Sequence, residues 1–125
     1  MRTEINYQYK RRLILMETYY NPEDLAKFAT MGEDAPELWD KFMEFYGAAM
    51  GDGALTAREK ALIAFSVALA IQCPYCIHSY TETLLQMGVS EEEMSEAAFT
   101  VAALRGGASL VHGVQMKNIV NKLEQ

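Results

Sequence analysis

A chain of 125 residues, half of them apolar, is long enough for one domain with its own core and too short for several. Its formal charge of −6 and pI near 4.9 repel polyanions, which argues against a broad nucleic-acid footprint or an anionic membrane surface as partner. No run reaches the roughly 20 apolar residues that a bilayer requires, so no membrane span is expected.

The N-terminal stretch MRTEINYQYKRRLILMETYY carries a basic cluster at Lys10, Arg11 and Arg12. Only Leu13 to Met16 follow as an apolar run, too short for a signal-peptide core. A cytoplasmic setting is therefore expected. Asn21-Pro22-Glu23-Asp24 supplies an N-cap, a proline suited to the first helical turn and early acids. Pro36 opens a second helical segment, ELWDKFMEFYGAAM, with Leu38, Phe42, Phe45 and Ala49 at helical spacing. Gly51 and Gly53 break it. Tyr19, Tyr20, Trp39, Phe42 and Tyr46 read as core or interface residues.

Thr56-Ala57-Arg58-Glu59 is a capping-box pattern, and the helix it starts runs to about Ile71. From Ala61 to Ile71 only Ser66 is polar. A helix apolar on every side needs cover on every side, more than one small chain supplies, which predicts a homo-oligomer. Pro74 starts the next helix and Gly88 ends it after Met87. Ser90-Glu91-Glu92-Glu93 is a second capping box. Its helix is expected to reach Leu104, to be interrupted at Arg105-Gly106-Gly107, and to give way to a last helix running toward Lys122. With few strand signals, the sum is an all-α domain of five to seven helices spanning residues 1–125.

The two cysteines of the chain, Cys73 and Cys76, flank Pro74-Tyr75 in CPYCIHSY. Cys73 falls at the expected N-cap and Cys76 near the third helical position. Residues three apart share a helix face, so the sulfurs can join with little rearrangement. The positive end of the helix dipole favours the thiolate, the form that attacks peroxides and disulfides. A sulfenic acid formed on one sulfur condenses with the other, so the pair is a candidate two-electron redox centre with its resolving thiol built in. Two other readings stand beside it. Both cysteines can be small core residues, or Cys73, Cys76, His78 and His112 can be zinc ligands. Against zinc, His78 is turned about 200° around the helix from Cys76, whereas a structural site wants its ligands on one side.

The stretch LTAREKALIAFSVALAIQCPYCIHSYTETLLQMG, Leu55 to Gly88, resembles the carboxymuconolactone decarboxylase and alkylhydroperoxidase D-like family. METYYNPEDLAKF, APELWDKF and RGGASLVHGVQM extend the likeness toward the branch of peroxidase-like proteins associated with arsenosugar biosynthesis. The resemblance implies an alkylhydroperoxidase D-like helical fold, trimers or hexamers, no bound cofactor, and a pair cycling between dithiol and disulfide. It implies that Cys76 meets the peroxide and Cys73 resolves. The partners would be a peroxide or other small oxidant and a thiol or dithiol reductant, with an arsenic species as a further soft candidate.

Two departures stand out against the family's peroxidases. The glutamate twelve residues before the first cysteine is Ala61, and the histidine four after the second is Tyr80. Alanine has no proton, and tyrosine is a poor base at neutral pH. Tyr80 can still donate a hydrogen bond to a Cys76 thiolate. Among replacements for the relay, His112 has the suitable titration range and is the candidate that folding can bring in, with a satisfied structural histidine as its other reading. Glu59 is claimed by the capping box, His78 reads as solvent-facing or as a subunit contact, and Glu82 as a solvated charge. Arg105 reads as a cap or an acid's partner before an anion ligand. The expected activity is a thiol-dependent, peroxidase-like oxidoreductase. A decarboxylase of the same fold and a non-catalytic oligomeric or metal-binding module are the alternatives.

Overall fold

The computed structural model describes residues 19–125. The Lys10–Arg12 cluster and the Leu13–Met16 run lie outside them. The described residues form a 3-10 helix, Pro22–Gly32, and four α-helices: α1, Pro36–Met50; α2, Ala57–Ile71; α3, Pro74–Gln86; and α4, Glu91–Leu123. No strand occurs among the described residues, and the fold is all-α as expected.

Local chemistry sets the helix ends. The Asn21 side chain accepts from the Glu23 amide and starts the 3-10 helix. Both capping boxes close. Thr56 Oγ1 accepts from the Glu59 amide at 3.1 Å while Glu59 returns a carboxylate to the Thr56 amide at 2.7 Å. Ser90 and Glu93 repeat the exchange at 3.1 and 2.9 Å. Glu59 is thus occupied as a cap. Arg58 bonds Glu93 and ties the start of α2 to the start of α4. Gly88, at φ +77°, ends α3 in the left-handed turn that glycine adopts without strain. Its amide reaches the Leu85 carbonyl, and the Val89 amide reaches that of Leu84 at 2.9 Å. This is a Schellman closure, completed by packing of Val89 near Leu84 in the core.

The core lies where α2 meets α3 and the first part of α4. It comprises Ala61, Phe65, Ala68, Leu84, Val89 and Met94. The 3-10 helix packs on α1 through an edge-to-face contact between Phe28 and Trp39, 4.9 Å apart. Gly32 lies so near Trp39 that a Cβ there would stand 2.6 Å from the indole Cγ. The α1 stripe is less covered than its spacing implies: Leu38, Phe42 and Phe45 are all exposed within one chain.

The expected interruption at Arg105-Gly106-Gly107 is overturned, because α4 runs unbroken for 33 residues, about 50 Å. Glycine costs a helix about 1 kcal/mol relative to alanine but does not end one when helix formers stand on both sides. Ser109 also bonds back to the Arg105 carbonyl at 3.1 Å, and Arg105 is pinned to the Ala70 carbonyl of α2 at 3.0 Å. Continuity makes α4 long and apolar enough, by length and composition alone, to cross a bilayer. A reading that breaks the segment in two does not anticipate this.

Candidate functional site

A short, strained connection places the cysteines. After α2, Gln72 turns through the left-handed region at φ 57°, uncommon for a residue with a side chain. Its amide and that of Cys73 both bond carbonyls of the last α2 turn, the latter to Ala68 at 3.0 Å. Cys73 is thereby delivered as the N-cap of α3, with Pro74 in the first turn where its missing amide costs nothing. Cys73 Sγ accepts from the Cys76 amide at 3.3 Å, a bond that would favour a thiolate there. The two residues are disulfide-bonded, with Cα atoms 5.3 Å apart, and both are half-buried.

Tyr75, between the cysteines, holds the neighbouring strand of chain. Its hydroxyl donates to the Tyr19 carbonyl at 2.9 Å, and its ring meets Tyr20 edge-on at 5.1 Å. The start of the 3-10 helix is in this way fastened to the start of α3.

A cavity of about 340 Å³ opens beside the pair, between α1, α2 and α3. Cys76 is in its wall and Cys73 is not; Tyr46, Lys60, Val67, Ile71 and Tyr80 line it as well. Tyr80 follows Cys76 by one helical turn, and its hydroxyl is hydrogen-bonded to that of Tyr46. Burial, then the bond to Tyr46, pushes the Tyr80 hydroxyl well above the ordinary tyrosine range. It therefore remains a proton donor throughout the physiological range and does not act as a base. Lys60 Nζ donates to the Gly51 carbonyl at the end of α1, at 2.5 Å.

Ala61 is only 1% exposed and packs with Phe65, Leu84, Val89 and Met94, while Tyr80 leans on the same cluster. The two positions that distinguish this chain from the family's peroxidases are thus adjacent to one apolar core. An ionised carboxylate at position 61 would be buried among these apolar side chains.

The remaining candidates are placed elsewhere. His112 is exposed on the second half of α4 and is not among the residues lining the Cys76 cavity. His78 Nε2 lies 3.3 Å from Glu82 Oε1 on α3, with both side chains exposed. Arg105 caps the last turn of α2. Among the described residues no three of His, Cys, Asp or Glu come together as a metal set, so Cys73, Cys76, His78 and His112 do not converge.

Sequence reasoning missed two lining residues. Tyr46 stood as a core or interface aromatic, and Lys60 went unremarked. Lys60 did carry a signal: it heads the α2 face Lys60, Ile63, Ala64, Val67 and Ile71, as the one charge on an otherwise apolar stripe.

Comparison with known proteins agrees with this architecture. Residues 36–116 match the carboxymuconolactone decarboxylase family. The chain is 32% identical over 103 residues to "uncharacterized protein 4 in cox locus" of Paracoccus denitrificans, covering 82% of this chain and 93% of that one. A crystal structure of a Methanobacterium thermoautotrophicum protein is similar with a TM-score of 0.65 and 33% identity, over 67% of this chain and 94% of that chain. An apo structure of a carboxymuconolactone decarboxylase family protein from Legionella pneumophila is similar with a TM-score of 0.62 and 34% identity, over 74% and 82% of the two chains.

Proposed function

The chain belongs to the carboxymuconolactone decarboxylase family, and from that premise we propose that it is a thiol-dependent, peroxidase-like oxidoreductase working through Cys73 and Cys76. The observation that carries this reading is the placement of Cys76 in the wall of a cavity with its partner one bond away at the helix cap. In the reduced protein, the Cys76 thiolate attacks the outer oxygen of a hydroperoxide. The O–O bond breaks, the sulfur becomes a sulfenic acid, and the departing alkoxide takes a proton. Tyr80, kept neutral and joined to Tyr46, is the donor that stabilises that oxygen. The Cys73 thiolate then attacks the Cys76 sulfur, hydroxide leaves and is protonated to water, and the disulfide forms. One hydroperoxide and two thiols give an alcohol, water and a disulfide. An external dithiol returns the pair to its starting state.

This assignment needs no carboxylate–histidine relay, only a thiolate at Cys76 and a donor at the leaving oxygen. It predicts slower turnover than a site with a full relay, because the proton donor is a weak acid. The likeness to the arsenosugar-associated branch makes a trivalent arsenical a second soft electrophile to offer the dithiol form.

Assembly with further copies belongs to the same reading. A groove of about 410 Å³ between α2 and α4 is walled by Leu62, Ala97, Val101 and Leu104, and the apolar side chains of the α4 second half continue it into solvent. A second copy offers the matching apolar surface.

The test is a count of free thiols in reduced protein before and after one equivalent of tert-butyl hydroperoxide. Loss of two thiols per chain, with alcohol formed in equal amount, is the expected result. Thiols that stay free would refute the reading, and a reaction on another substrate that is indifferent to Cys73→Ser and Cys76→Ser would replace it with a decarboxylase-type one.

A further inference from the structure

We infer that the Cys76 cavity binds small organic anions, a carboxylate on an apolar body, with Lys60 as the cation that selects them. Lys60 has no carboxylate partner among the described residues, in contrast to Lys27, Lys41 and Arg58. One of its three donors is spent on the Gly51 carbonyl. The other two are left for a ligand, at a place that is partly buried. Around it the wall is apolar: Ile63, Val67 and Ile71 from α2 give an aliphatic track toward Cys76, and Tyr46 and Tyr80 supply the remaining polar atoms. The cavity's 340 Å³ falls within the roughly 300–1,000 Å³ of small-molecule sites. An apolar lining with one convergent cation fits a ligand whose charge sits at one end.

The inference deepens the thiol-peroxidase reading by naming its substrate class, hydroperoxides of organic acids in preference to hydrogen peroxide. Binding itself requires no chemistry at sulfur, so it is tested apart from that reading. Titration calorimetry of the full-length disulfide form with octanoate, and with methyl octanoate as the uncharged control, reads the selection directly. Octanoate is expected to bind about tenfold or more tightly than the ester, the scale of one hydrogen bond to a charged group. Lys60→Met should abolish that ratio and Lys60→Arg should keep it. Equal binding of acid and ester by the wild type would mean an apolar hollow without selection and overturns the inference, as would no binding of either. Should Lys60→Met fail to fold, the wild-type ratio still decides. A positive ratio with thiols inert to peroxide would retain the anion site and discard only the chemistry proposed above.

Discussion

The two halves of α4 belong to one unbroken helix yet live in different surroundings. The first, from Glu91 to about Val101, is capped by Ser90, tied to α2 through Glu93 and Arg58, and buries Met94 in the core. The second, from Arg105 to Leu123, leaves Leu110 79% and Leu123 82% exposed, with Val111, Met116 and Ile119 exposed between them. An isolated helix of this length is marginal in water, and three glycines weaken it further. The difference teaches that one chain packs the first half into its core and leaves the apolar side chains of the second half exposed. A bilayer could offer apolar cover, but Arg105 lies within the apolar stretch, where burying a guanidinium in lipid costs about 2.5–3.5 kcal/mol or more. Its bond to Ala70 holds it in the protein instead. The assembly proposed above would cover the helix without that cost.

The sharpest way to break this comparison is to shorten one leucine in the core that the first half packs against and one in the second half. Leu84, fully buried where α3 meets the core, should lose about 2–5 kcal/mol as Leu84→Ala. Leu110→Ala should cost next to nothing if the helix stands free. If copies cover it, the mutation should lower the sedimentation mass and make unfolding depend more steeply on protein concentration. Denaturant unfolding at two concentrations, with sedimentation of the native protein, reads both. A smaller effect is expected at the 3-10 helix: Gly32→Ala should cost about 1–3 kcal/mol, because the new methyl meets the base of the Trp39 side chain and not a flexible tip.

The smallest concerns the link between the two helix starts. Hydrogen bonds from the Ser90 amide and then from Arg58 hold the Glu93 carboxyl below the usual carboxylate range. A lowered folded-state pKa stabilises the fold above the unfolded value, near 4.3, and the gain is lost as pH falls through the lowered value. Melting temperature should drop across that acid window in the wild type and less so in Glu93→Gln. Equal slopes would show that this carboxylate carries no measurable part of the acid sensitivity.

Much of the fold was legible because its signals are local. Both capping boxes, Pro36, Pro74 and Gly88 mark helix ends through atoms a few residues apart. The last helix was misread for a complementary reason. Gly106-Gly107 weakens a helix by propensity without ending it, and Arg105 is also tied to Ala70, 35 residues away, a contact that no local pattern displays. At the site, the cysteine spacing announced the pair. Tyr46 and Lys60 reach the cavity only through the packing of α1 on α2 and α3, so their part emerged with the fold. His112 is the opposite case: a suitable titration range says nothing of position, and α4 carries it onto its exposed half.

The most direct measurement traps the first intermediate. Reduced Cys73→Ser is treated with substoichiometric hydroperoxide and dimedone, and the adduct is located by mass spectrometry, with Cys76→Ser in parallel. The account predicts a sulfenic acid adduct on Cys76 in the first protein, formed far faster than any on Cys73 in the second. Label on Cys73 alone, or on neither sulfur, would contradict it.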